Sequence, residues 1–261
     1  MNIIKTARRI VIKVGSSTLT HDTGLLNLRR IEQLARVISD FTNMGKEVIL
    51  VTSGAVAAGV SRLRLDHRPA TIEEKQATAA VGQNELMSVY ERFFTGYGHT
   101  VGQILLTRET FEVPVARENA RNTFNTLLRM RCIPIVNEND SVSFEEIAVG
   151  DNDTLSAYVA AMVEADALIL LSDIDGLYDS DPHRNPDAKL IPVVPVIDEK
   201  ILSYAGGAGS ERGTGGVVTK LHAAQIATDA GIPMFLLNGS DPGILYDLFE
   251  GLHVGTYFMS K

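Results

Sequence analysis

The strongest restriction on how this chain can fold is an alternation between two periods. Short apolar runs, RIVIKVG, EVILVTSG, TVGQILLT, CIPIVNE and ALILLSD, are separated by stretches whose apolar residues recur at helical spacing. Those stretches cover residues 26–44, 71–97, 115–130 and 153–163. Near-continuous apolar runs suit strands covered on both faces, and two parallel strands need a long crossover between them. The alternation therefore predicts an α/β fold of parallel strands joined by helices. In the first helical stretch Leu28, Ile31, Leu34, Ala35 and Ile38 mark a buried stripe, and Arg29, Arg30, Glu32, Arg36 and Asp40 a solvated face. NDSVSFEEIAVGDND has two short β-like runs and predicts a hairpin projecting from the sheet edge. DPGILYDLFEGLHVGTYF predicts a short helix and a last strand. With no repeat and no linker, residues 1–261 are expected to form a single two-lobed domain.

Charge and composition remove several classes of function. The net charge is −8, from 24 Lys and Arg against 32 Asp and Glu, which argues against a general nucleic-acid binder. An anionic ligand would have to meet locally placed lysines. One cysteine, Cys132, excludes an intramolecular disulfide framework and is expected to pack as a small hydrophobe. Charges interrupt the apolar residues of MNIIKTARRIVIKVG, so no signal peptide or membrane span is read, and a cytoplasmic protein is expected. The histidines, His21, His67, His99, His183, His222 and His253, are scattered outside every polar cluster. Zinc chemistry and a Ser-His-Asp hydrolase lose support accordingly.

In open parallel sheets, ligands collect beyond the carboxyl ends of the strands. KVGSS, TSGAVAAG, NEND and SDIDG all fall at such ends. Lys13, inside an apolar run, is costly unless its ammonium reaches an anion, and Gly15, Ser16 and Ser17 behind it can donate to phosphate oxygens. Ser53 and Gly54 place a hydroxyl and amides at a helix start, where a plain cap with small residues for packing is an equal reading. Asn137, Glu138, Asn139 and Asp140, with Asp151, Asn152 and Asp153, form two Asx-rich clusters able to hold the ammonium and oxygens of an amino acid. GTGGVVTK matches neither the Walker nor the dinucleotide template, because Val218 stands where the former needs glycine. Its amides, its helix dipole and Lys220 could still address a phosphate chain. No general base stands in these clusters. A carboxylate acceptor, already ionised near neutral pH, would need none.

IVIKVGSSTLT, VTSGAVAAG, AAVGQ, GQILLT, PIVNENDSV, VGDNDTLSA, LLSDIDGLYDSDP and GTGGVVTKLHAA together resemble the glutamate 5-kinases of the amino acid kinase family. TSGAVAAG with NEND and GDND separates the chain from the aspartate, acetylglutamate, carbamate and uridylate kinases. The resemblance implies a three-layer α/β/α sandwich around a mostly parallel open sheet, with an N-terminal lobe for glutamate and a C-terminal lobe for ATP. It implies phosphorylation of the L-glutamate side-chain carboxylate by MgATP, giving L-glutamyl 5-phosphate for proline biosynthesis. Lys13 and Lys220 would stabilise the transferring phosphoryl group and Asp153 would orient them. Ser53, Asp140 and Asn152 would bind glutamate. Lys13, Ser172, Asp173, Thr214, Gly215, Gly216, Val217, Val218, Thr219 and Lys220 would bind ATP, and no residue is assigned to the metal. Many members carry a C-terminal PUA domain, and this chain is expected to be a short form without it. A homo-oligomer, feedback by proline and coupling to a glutamyl phosphate reductase are also implied. The alternatives are another carboxylate or carbamate kinase of the same fold, or a non-catalytic sensor of amino acid and nucleotide.

Overall fold

The computed structural model describes residues 3–142, 152–182, 184–204 and 216–261. In chain order its elements are α1 (Ile3–Thr6), β1 (Arg9–Val14), α2 (Ser16–Leu19), α3 (Leu28–Asn43), β2 (Glu47–Val51), α4 (Ala55–Leu63), α5 (Ile72–Gly96), β3 (Thr100–Leu106), α6 (Arg108–Glu112), α7 (Pro114–Arg129), β4 (Cys132–Glu138), α8 (Asn152–Met162), β5 (Ala167–Ser172), β6 (Val193–Val194), α9 (Glu199–Ser203), α10 (Val217–Asp229), β7 (Met234–Asn238), α11 (Ile244–Glu250) and β8 (Thr256–Phe258). The strands form an eight-stranded sheet in the order β3-β4-β2-β1-β5-β7-β8-β6. Its pairs are parallel except for β7 with β8. The expected strands all form. β7, in the run MFLLN, and the two-residue β6 lie outside them. The expected hairpin falls mainly on residues 143–151, outside the described residues.

Period-two alternation divides the core between the two sheet faces. Ile10, Ile12 and Val14 of β1 join Phe41, Leu86, Tyr90 and Phe94 from α3 and α5 on one side. Val11 joins Leu155 and Val159 of α8 and Leu221 and Ala224 of α10 on the other. Lys13 follows Val11 by two residues, so it shares the α8 and α10 face. The result is the three-layer α/β/α sandwich. Local signals fix the helix ends: Thr71 and Glu74 make a capping box before α5, and Pro114 occupies the first turn of α7. Cys132 is only half-buried at the start of β4, so it contributes less to the core than expected. Among the described residues no helix is long and apolar enough to cross a membrane.

α4 and α5 meet backbone to backbone. A Cβ on Gly82 would stand 1.8 Å from the Ala55 carbonyl oxygen, and one on Gly59 2.0 Å from that of Thr78. The small residues of TSGAVAAG and AAVGQ therefore set how closely the two helices approach. Gly54, at the N-cap of α4, has φ +97°, in the left-handed region that favours glycine. Gly82→Ala is expected to lower stability by about 1–3 kcal/mol through forced separation of the helices. Gly96→Ala, where nothing lies within 4 Å of the added carbon, should be neutral or slightly stabilising. Urea unfolding of the pair checks the contrast.

Candidate active site

Asp153 lies between two buried lysines. It stands in the first turn of α8 and is 1% exposed, against 6% for Lys13 and 7% for Lys220. Lys13 Nζ approaches Asp153 Oδ1 at 2.6 Å, and Lys220 Nζ approaches Oδ2 at 3.2 Å. The Thr219 hydroxyl donates to Oδ2 at 3.2 Å and lies 3.0 Å from the Gly216 carbonyl oxygen. Buried charges persist only when paired and hydrogen-bonded, and here one carboxylate meets two ammonium groups. Lys13 and Lys220 hold two ammonium groups at little exposure, which could draw an anion towards them.

Asn152 precedes Asp153 and points elsewhere, because consecutive helical positions are about 100° apart. Its side chain opens on a cleft of about 250 Å³. One wall is the first turn of α4, Ala55 to Ala57, with Ser53 and Gly54 before it; the other includes Asn137, Glu138 and Asp140. Ser16 completes the lining. Asn152 Nδ2 lies 2.6 Å from the Thr52 carbonyl oxygen, 2.9 Å from Ser53 Oγ and 2.8 Å from Asn137 Oδ1. The free N–H groups of α4 and the Ser53 hydroxyl can meet a carboxylate, while Glu138 and Asp140 can meet an ammonium. Burial, reinforced by the Glu138 charge, pushes the Asp140 carboxyl up to about 6.

Ser53, Asp140 and Asn152 thus share one cleft, and Lys13, Asp153 and Lys220 one buried cluster. α8 joins the two through adjacent residues. Ser172 and Asp173 stand at the carboxyl end of β5, outside the cleft lining, with the Ser172 hydroxyl donating to Asp173 Oδ1 at 3.0 Å. Gly216 caps α10, Val217 to Lys220 form its first turn, and Val218 points out at 57% exposure. Thr214 and Gly215 lie outside the described residues. Gln83, Thr52 and Tyr90 also support the cleft and were not among the expected site residues. Asn137 Nδ2 donates to Gln83 Oε1 at 2.8 Å, and the Thr52 and Tyr90 hydroxyls are 2.8 Å apart. Burial pushes the Tyr90 phenol up, which keeps it neutral. A polar residue on an apolar helix face was the available signal for Gln83.

The model of the amino acid kinase family matches residues 8–238. The chain belongs to the amino acid kinase family. Among its relatives, the glutamate 5-kinase of Clostridium perfringens is 56% identical over 99% of this chain and 97% of that protein. The glutamate 5-kinase of Listeria innocua is 52% identical over 99% of this chain and 95% of that protein. Solved structures at lower identity share the fold. An isopentenyl phosphate kinase superposes with a TM-score of 0.66 at 16% identity, covering 96% of this chain and 100% of that one. The UMP kinase of Bacillus anthracis superposes with a TM-score of 0.65 at 19% identity, covering 98% of this chain and 97% of that one.

In this amino acid kinase the lysine pair depends on Asp153 for its burial. Asp153→Asn should cost about 3–5 kcal/mol of stability by leaving two buried cations without their carboxylate. Lys13→Met, which leaves Asp153 with Lys220, should cost clearly less. Equal shifts of the urea midpoint in the two variants would contradict this ordering.

Proposed function

We propose that the chain is an ATP-dependent kinase acting on the side-chain carboxylate of L-glutamate, with L-glutamyl 5-phosphate as product. The observation that carries the reading is the adjacency of Asn152, facing an amino-acid-sized cleft, and Asp153, holding two buried lysines. The likeness to glutamate 5-kinases over nearly the whole chain supplies the substrate. Cleft residues lie between Ser16 and Asn152, and the proposed ATP contacts other than Lys13 between Ser172 and Lys220, which supports an N-terminal lobe for glutamate and a C-terminal lobe for ATP.

Ser53 and the α4 amides would hold the substrate oxygens, and Asp140 with Asn152 Oδ1 its ammonium. The side-chain carboxylate is an anion near neutral pH, so attack on the γ-phosphorus needs positioning rather than deprotonation. The bond from γ-phosphorus to the bridging oxygen of ADP breaks as the bond to the carboxylate oxygen forms. Lys13 and Lys220 would offset charge spread over the phosphoryl oxygens, with Asp153 fixing their direction. Ser172, Asp173, Thr214, Gly215 and the first turn of α10 would hold the nucleotide.

The described residues contain no group of three His, Cys, Asp or Glu side chains disposed around a metal. Mg²⁺ would arrive on the triphosphate, since such ions keep water and phosphate oxygens and take few protein ligands. Mg²⁺ would supply charge neutralisation on the triphosphate, and Asp153, engaged by Lys13 and Lys220, is not assigned to it. The reading also includes a homo-oligomer, feedback by proline and delivery of product to a glutamyl phosphate reductase. Likeness to the glutamate 5-kinases is the support for these three.

With hydroxylamine present, protein, MgATP and glutamate should give a hydroxamate in step with ADP. Aspartate, one methylene shorter, should react poorly because its carboxylate falls short of the phosphorus. ADP release without hydroxamate would contradict acyl phosphate formation, and equal rates with aspartate would contradict the assigned pocket. Lys13→Ala and Lys220→Ala should each lower kcat about a hundredfold or more, with little change in glutamate KM.

Asp140 gives the reaction a pH limb. It pairs with ammonium only when ionised, so kcat/KM for glutamate should fall as pH drops through about 6. Free glutamate titrates its side chain lower, near about 4.3, so the two effects separate. In Asp140→Asn, KM should rise and the limb near 6 should vanish; an unchanged limb would assign it to another group.

A further inference from the structure

Gln83 lies on α5, behind the cleft and outside its lining, and is 8% exposed. Its Oε1 accepts from Asn137 Nδ2 at 2.8 Å. The orientation of this pair follows from groups that cannot invert. The Glu138 backbone N–H donates to the Asn137 side chain at 2.9 Å, so the atom facing it must be Oδ1. Asn137 then turns Nδ2 towards Gln83, which must answer with an oxygen. At the other end, the Thr52 carbonyl oxygen lies 2.6 Å from the Asn152 side chain, so the atom facing it must be Nδ2. That same Nδ2 lies 2.8 Å from Asn137 Oδ1 and 2.9 Å from Ser53 Oγ. Asn152 keeps its Oδ1 as an acceptor, and Ser53 keeps its own O–H to donate.

We propose that Gln83 is a positioning residue for glutamate: by accepting from Asn137 Nδ2 it holds Asn137, and through it Asn152, in the arrangement that presents donors and acceptors to the cleft. The inference rests on the glutamate reading and deepens it. A donor from Ser53 suits a substrate carboxylate, and an acceptor from Asn152 suits an ammonium. If the Asn137 amide turned over, its NH₂ would face the Glu138 N–H and the Asn152 NH₂, donor against donor. Those clashes hold Asn137 in its orientation, and Gln83 Oε1 supplies the buried acceptor that its Nδ2 then needs. The Gln83 Nε2 has no hydrogen-bond partner among the described residues. Such a group is expensive to bury, so an apolar side chain would serve packing better at this position. An unpaired donor retained beside a fully ordered chain of amides points to the Oε1 contact as the reason for a glutamine here.

The test compares wild type, Gln83→Met and Gln83→Glu by hydroxamate formation, with KM for glutamate and for ATP determined separately and folding followed by urea unfolding. Gln83→Met removes the acceptor, and glutamate KM should rise about tenfold or more, the span expected when a buried hydrogen bond is broken. KM for ATP should stay within about twofold. Gln83→Glu keeps an oxygen towards Asn137 and should hold glutamate KM within about threefold of wild type. A merely structural glutamine would lower apparent kcat through a smaller folded fraction and leave KM alone, and that result overturns the proposal. If Gln83→Met does not fold, the Glu variant decides: a rise in glutamate KM of tenfold overturns it. A wild-type protein that forms no hydroxamate rejects the glutamate reading itself, whereas an active wild type with unchanged KM in Gln83→Met rejects only the role of Gln83.

Discussion

A single carboxylate in the first turn of α8 governs how this molecule is arranged. Asp153 binds Lys13 of β1 and Lys220 of α10, and all three side chains are more than nine-tenths buried. Two ammonium groups at such depth would be strongly destabilising without it. The pairing also ties a central strand to two helices from distant parts of the sequence. A buried ion pair is weak evidence for stability alone, because well-packed apolar residues often do as well. Two buried ammonium groups held in this way make chemical sense where an anion must be drawn to a dry site.

Consequences of that placement reach the cleft through α8. Asn152 cannot move independently of Asp153, so the geometry holding the lysines also aims the amide at Thr52, Ser53 and Asn137. The opposite wall is fixed by different physics. Gly59 and Gly82 let α4 lie against the α5 backbone, which brings the amides at the start of α4 to the cleft and Gln83 behind it. Close packing of glycines and one buried carboxylate thus position the two walls.

Much of this was legible in the sequence, for stated reasons. Lys13 was conspicuous because a charge inside an apolar strand needs an anion, and the strand-to-helix alternation gave the layers. The match of the chain to the amino acid kinase family and the eight-stranded sheet agree with the fold expected from it. β7 escaped because MFLLN, buried on both faces, has no alternation and is too short to separate from a helical segment by period. Cys132 was expected deeper than it lies, since a strand's first residue has neighbours on fewer sides. Gln83 stood out only as a polar residue on an apolar helix face, because its importance is relational. Its contact with Asn137 spans 54 residues of sequence and joins α5 to β4. That Asp153 orients Lys13 and Lys220 was expected from the family resemblance alone, since the residues meet only in tertiary structure.

The central claim is that Lys13 and Lys220 act as one unit on the transferring phosphoryl group through their shared Asp153. A double-mutant cycle in kcat for hydroxamate formation, using Lys13→Ala, Lys220→Ala and both together, tests it most directly. Residues acting as a unit are strongly non-additive, so the double variant should lose little more than the worse single variant. Losses that multiply, with each lysine contributing its full factor whether or not the other is present, would contradict the account.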